Sequence, residues 1–266
     1  PFHINTKYVG HKNTDCVLKK VFVGMSAHVL LCGVLLCVMA GWVMGVSAQR
    51  LIGSGGLMNV PSADMSPAGT FEGGAAVLQS RMTDDRFDYY TGLYYISFTP
   101  FSFVEATFRE TLRKTRKSAW DQRRGFYQQD RSTTIRLRPL RETREGWWPS
   151  VVIGVNDIYS DHGKSEYAAV YGVVTRHFGL KGVATVGVTA GWARPIDGGT
   201  TYDGAFGGIE VRPDIWKDMC LMAEYDTRGF NVGASATLFG HLRVMCLSRW
   251  LEGVSGALSY VYTIKY

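Results

Sequence analysis

The chain has 266 residues, 29 Lys and Arg against 23 Asp and Glu for a formal charge of +6, and a mean hydropathy of −0.04. That length holds one large domain or two small ones, and 31 Gly, 8 Pro and 13% aromatics suit β-packing rather than disorder. Near-zero mean hydropathy alone would indicate a soluble protein, but it does not exclude a barrel, in which apolar and polar residues alternate and cancel.

The N-terminal region reads as a leader. Lys19 and Lys20 precede an apolar run from Val21 to Val46, and Val46-Ser47-Ala48 closes it before Gln49. Basic flank, apolar run and small-x-small exit describe a secretory signal peptide cleaved after Ala48. The run is also long enough for a transmembrane anchor, but the exit and the β-rich sequence that follows favour the signal peptide. Met25 is an alternative start, at the cost of the two lysines. Lys7, Lys12, Lys19 and Lys20 against Asp15 account for half of the +6, leaving +3 from residue 49 onward. That balance is no nucleic-acid signature. The leader also holds Cys16, Cys32 and Cys37. Cys220 and Cys246 remain, two predicted strands apart at about 9 to 10 Å, too far for a disulfide, so both are expected free.

Residues 49–69 are rich in Gly and Pro, with Pro61 and Pro67 breaking any strand. This segment is read either as a small plug tucked into a lumen or as a periplasmic lead that binds a partner.

From Thr70 the pattern changes to short β-like segments between turns: Thr70–Leu78, Tyr90–Thr99, Phe103–Arg113, Asp130–Leu140, Pro149–Ile158, Glu166–Phe178, Val183–Ala193, Gly204–Arg212, Met219–Asp226, Phe230–Leu238, Leu242–Arg249 and Val254–Lys265. About twelve strands, an even number, and no amphipathic helix predict an all-β, antiparallel outer-membrane barrel over residues 70–266. The last segment carries the pattern most fully. Gly256, Leu258, Tyr260, Tyr262, Ile264 and Tyr266 form an apolar, aromatic face, alternating with mostly small or polar residues. Links alternate too. Short ones follow the second, sixth and tenth segments, and longer ones follow the first, third and seventh, as expected of periplasmic turns and outer loops. Arg141–Trp148 breaks that rule, and Trp147-Trp148 reads as a membrane-interface marker.

Alternation assigns faces. Val104, Ala106 and Phe108, then Ile135 and Leu137, Ile209 and Val211, Leu221, Ala223 and Tyr225, and Val232, Ala234, Ala236 and Leu238 are predicted to face outward. The intervening charges, Glu105, Arg109, Arg136, Arg138, Glu210, Arg212, Glu224 and Asp226, fall on the inner face as a lumen charge network. A charge facing lipid at mid-depth costs about 2 to 4 kcal/mol, so this one-sidedness is the physical case for a lumen. Glu224, Asp226 and Asn231 form a polar patch near one rim, either for a sugar chain or cation or, more simply, to neutralise Arg136 and Arg138.

Two stretches, Gly56-Leu57-Met58-Asn59-Val60-Pro61-Ser62-Ala63-Asp64-Met65 through Gly69-Thr70, and Met222-Ala223-Glu224-Tyr225-Asp226 with Gly229-Phe230-Asn231-Val232-Gly233, carry a likeness. With Gln129-Asp130-Arg131-Ser132 and Pro149–Gly154, they resemble the YjbH/GfcD-like family in a short, single-barrel form associated with Bacteroidota. The resemblance covers residues 50–266. It implies an outer-membrane barrel tied to exopolysaccharide or capsule biosynthesis and export, with no catalytic residues and no cofactor. Expected partners are lipid and lipopolysaccharide, a surface polysaccharide and periplasmic export proteins.

The link after the third segment sets Lys114, Arg116, Lys117, Arg123 and Arg124 around Trp120, a candidate ligand loop for acidic polysaccharide or lipopolysaccharide phosphate. It reads equally as a solvated loop near anionic lipid. Catalysis finds little support. His162, His177 and His241 are scattered, no Gly-x-Ser-x-Gly elbow or His-Glu-x-x-His motif occurs, and no metal set is visible. The expected function is therefore a non-enzymatic component of polysaccharide export. The alternatives are a small channel with a charged lumen or a barrel acting through its loops as an adhesin or lipid-modifying protein.

Overall fold

The computed structural model describes residues 50–82, 90–114, 127–143, 146–160, 167–196, 199 and 202–264. The leader, most of the basic loop (Arg116, Lys117, Trp120, Arg123 and Arg124) and the final Lys265 and Tyr266 lie outside them.

Period-two patterning folds here as twelve strands: β1 (Thr70–Leu78), β2 (Thr91–Phe101), β3 (Val104–Lys114), β4 (Tyr127–Leu140), β5 (Ser150–Ser160), β6 (Ala169–Leu180), β7 (Ala184–Pro195), β8 (Gly204–Pro213), β9 (Met219–Tyr225), β10 (Phe230–Leu238), β11 (Leu242–Arg249) and β12 (Gly253–Thr263). Each pairs antiparallel with the next, and β12 pairs with β1 to close the barrel. Phe71 lies opposite Tyr262 and Gly73 opposite Tyr260 across that seam, where the Thr70 and Thr263 hydroxyls also meet at 2.9 Å. Closure leaves no free sheet edge. Apart from single 3-10 turns at Ser80–Met82 and Asp214–Trp216, the described residues hold no helix, and none is long and apolar enough to cross a membrane.

β1, β10 and β11 match the predicted bounds, and the other strands shift by up to three residues. β2 runs on through Pro100 because the register shifts between Phe98 and Phe101 there, and a proline without an N–H is tolerated at such an irregularity. The strand ends that border the longer links (79–90, 115–126, 161–168 and 196–203) lie at one end of the barrel, and short turns gather at the end where β1 begins, called here the near end. The link 141–149 is the long exception at the near end. In it Trp147 and Trp148 stack with ring centres 4.1 Å apart, both exposed.

The alternation separates two surfaces. Tyr94, Ile96, Phe108, Ile135, Leu137, Ile153, Trp192, Ile209, Leu221, Tyr225, Leu258, Tyr260 and Tyr262 are exposed on the outside. Between them Glu72, Glu105, Arg109, Arg136, Glu210, Glu224 and Arg243 are buried on the inside. Leu238 departs from the expected outward face: at the end of β10, beside the tight turn at Phe239, it is buried. Cys220 points inward and Cys246 outward, and both are free.

The lumen is filled by the chain's own residues 50–69. Gly56 bridges Pro61, and the Leu51 amide donates to the Met58 carbonyl at 2.8 Å, folding the segment back on itself. Its apolar side chains divide the interior into two clusters. Leu51, Leu57 and Met58 pack with Leu78, Leu93, Met222, Met245 and Leu247. Ile52, Val60, Ala63 and Met65 pack with Val152, Tyr171, Val173 and Phe206. The inner wall is thus more apolar than a water-filled lumen requires, because part of it packs against this segment.

Candidate functional site

The segment's backbone turns inward-facing N–H and C=O groups toward strand side chains, and buried polar groups must be paired. The strands supply charges at the matching heights. Arg136 on β4 is fully buried, with Nη1 3.0 Å from Glu105 Oε1 on the neighbouring β3. Its Nη2 donates to the carbonyls of Ser62 and Asp64, the latter at 3.1 Å. The other side of the pair also reaches the segment, since Glu105 Oε1 accepts the Gly55 amide at 2.8 Å. One ion pair therefore grips the segment through both partners.

Glu224 on β9 is the second grip. Its carboxylate accepts the amides of Met58 at 3.0 Å, Asn59 at 2.8 Å and Val60 at 3.2 Å, and the Asn231 side-chain amide at 2.8 Å. Three successive N–H groups converging on one carboxylate make an anion nest in reverse, with the anion supplied by the wall. Asp226, just beyond β9, takes the Asn59 side chain at 2.6 Å and the Trp250 indole at 3.1 Å, with Arg249 Nε 3.5 Å away. Burial raises the Asp226 carboxyl, but Arg249 and the donors of Trp250, Asn231 and Asn59 hold it below the usual range. The expected pairing of Glu224 and Asp226 with Arg136 and Arg138 is corrected: Glu224 serves the segment's amides, and Asp226 lies beside Arg249.

The remaining members of the predicted charge network separate by height. Arg109 pairs with Asp157 on β5 at 2.6 Å and lies over the Tyr167 ring at 4.8 Å. Glu210 and Arg212 pair along β8 at 3.1 Å near the near end. Arg138 is only half-buried and donates to the Ser102 carbonyl at the rim. Lys114 ends β3, and nothing further of the basic loop falls among the described residues.

Several partners were not singled out from sequence. Arg243 Nη1 donates to both oxygens of Glu72, at 2.9 and 3.0 Å, with Ser259 donating to the same carboxylate at 2.6 Å. Both residues occupy the inward phase of their strands, so the alternation that found Glu105 also signals them. Asp157 gives no such signal. The β4–β5 register shifts between Thr133 and Ile135, and Asp157 has φ 51°, which turns it inward directly after the inward Asn156. Tyr202, from the link before β8, donates to the Asn59 carbonyl at 2.5 Å.

At the near end a cavity of about 570 Å³ opens beneath the segment's exit, lined among others by Asp64, Arg138, Arg141, Glu142, His177 and Arg212. His177 stands between carboxylates, with Nδ1 2.8 Å from Glu142 and Nε2 3.3 Å from Glu210 and 3.6 Å from Asp64. These residues are far apart in sequence, and only the fold brings them together.

Comparison with known proteins places a family over this architecture. The family model YjbH, described as "Exopolysaccharide biosynthesis protein YbjH", matches residues 48–201, which span the lumen segment and β1 through β7. No curated protein matches the chain.

Proposed function

Because the chain belongs to the YjbH family of exopolysaccharide biosynthesis proteins, we propose that it is an outer-membrane β-barrel, closed by its own residues 50–69, that serves surface-polysaccharide assembly or export without catalysing a reaction. The observation that carries this reading is the two-sided wall. Every strand pair is satisfied within the closed barrel, the outside is largely apolar and aromatic, and most mid-strand charges, Glu72, Glu105, Arg109, Arg136, Glu224 and Arg243 among them, are buried inside. A β-sheet can cross a bilayer only with its edge hydrogen bonds closed in this way. Of the charges on the outward phase, Glu110 and Arg131 sit directly opposite each other on β3 and β4, where their signs offset, while Arg176 and Arg194 lie toward the ends of β6 and β7. With the near end in the periplasm, the longer links face the exterior and Trp147-Trp148 marks the inner boundary. A lumen occupied by hydrogen-bonded chain supports a scaffold over an open channel.

The test is genetic and biochemical together. Deleting the gene in its host is expected to abolish or sharply reduce the surface polysaccharide, and the wild-type gene to restore it. The protein is expected in the outer-membrane fraction, migrating faster before boiling than after. Unchanged polysaccharide in the deletion strain, or recovery of the protein from the inner membrane or soluble fraction, would contradict the proposal.

A further inference from the structure

We propose that Asp64, His177 and Glu210 form a divalent-metal site of the zinc type that fastens the lumen segment to the barrel wall at the near end. Asp64 comes from the segment, His177 from β6 and Glu210 from β8, so an ion held by the three would join parts of the chain that the sequence keeps apart. One donor atom from each lies within 4.8 Å of the others. His177 Nε2 is 3.3 Å from Glu210 Oε1 and 3.6 Å from Asp64 Oδ2. Bonds of about 2.0 to 2.1 Å in a tetrahedron set ligand atoms roughly 3.3 to 3.4 Å apart, so both histidine–carboxylate separations are close to coordination, and the two carboxylates, within 4.8 Å of each other, would draw together around the ion.

The imidazole is oriented as a ligand. Its Nδ1 is 2.8 Å from Glu142 Oε2. A proton held there leaves the Nε2 lone pair toward the two acids, the carboxylate–histidine arrangement that supports metal-bound histidines. Arg212 lies 3.1 Å from Glu210 Oε1 and 3.3 Å from Oε2, so Oε2 keeps a counter-charge when Oε1 turns to the ion. The cavity, which Asp64, Glu142 and His177 also line, gives an ion a way in and a water its place as fourth ligand. One nitrogen and two carboxylate oxygens suit a first-row ion of zinc type better than calcium or magnesium, which favour all-oxygen shells. The competing account of the same distances is a protonated His177 bridging the acids with no ion, and it differs in what it binds.

The full-length protein, folded in detergent and stripped with EDTA, would be titrated calorimetrically with ZnCl2, and in parallel with CaCl2 and MgCl2. Saturable binding of a single zinc per chain is expected, with calcium and magnesium weaker. His177→Gln and Asp64→Asn should each weaken it roughly tenfold or more, and Glu142→Ala, which removes the orienting acceptor together with its contacts to Arg176 and the His177 amide, roughly tenfold. Asp203→Asn, an exposed acid elsewhere, should leave it unchanged. Folding of each variant is checked by its heat-modifiable migration. Wild-type protein that migrates as folded and takes up no zinc overturns the proposal even if every variant misfolds. Equal binding by folded H177Q, or calcium bound more tightly than zinc, overturns it as well.

Discussion

An arginine enclosed in a barrel needs its counter-charge on the wall or on whatever fills the lumen, because an unpaired buried charge costs several kcal/mol. Arg136 has both, through Glu105 and through the carbonyls of Ser62 and Asp64. Removing one partner strands the other. Arg136→Met is therefore expected to destabilise the folded barrel by about 3 to 5 kcal/mol. Adding Glu105→Gln should cost less than the sum of the two single changes, measured as urea unfolding in detergent. Additive effects would show that the pair is not coupled. Asp226 makes a pH-dependent contribution. Its folded-state value lies below the ordinary carboxyl value, so its stabilisation is complete above the unfolded value of about 3.9 and is lost as pH falls through the folded one. Unfolding midpoints should hold steady down to about pH 5 and drop below about pH 4, and Asp226→Asn should shrink that drop. A drop of the same size in the variant would assign it to other carboxylates. At this scale the sequence was readable wherever strict alternation held, as at Glu105 and Arg136, and unreadable at Asp157, where a bulge with positive φ reverses the side-chain direction.

The lumen segment and the strands that receive it are fitted to each other as elements. Gly208 on β8 and Gly233 on β10 leave room for it: a Cβ at Gly208 would stand 2.5 Å from Leu57 Cδ1, and one at Gly233 2.6 Å from Met58 Sδ. Gly233→Val is expected to cost about 1 to 3 kcal/mol by overpacking. It should also make residues 50–69 more susceptible to added protease than in wild type. Unaltered stability and protection would mean that the segment does not rest on that wall. Strand positions were legible because each carries its own period. The segment's position was not, because Pro61, Pro67 and its glycines forbid a strand equally well inside a lumen or outside it. The signal lay on the receiving side, in strands such as β2 and β11, whose inward phase carries Leu93, Met245 and Leu247 in place of polar residues.

For the whole molecule, twelve strands enclose more width than their own side chains fill, since barrel diameter grows with strand number. Residues 50–69 occupy that width, held by Glu224, by the Glu105–Arg136 pair and by two apolar clusters. The barrel class and its two faces followed from patterning alone, and the family match adds the polysaccharide context over residues 48–201. Whether this protein is a closed scaffold or a channel turns on whether that filling stays in place. The direct measurement is single-channel conductance of the purified, folded protein in a planar bilayer, beside Arg136→Gln and Glu224→Gln. A silent wild type is expected, with brief, irregular openings appearing only when a neutralised grip lets the segment loosen. A steady wild-type conductance whose ion selectivity changes in those two variants would contradict it and make the same residues the filter of a pore.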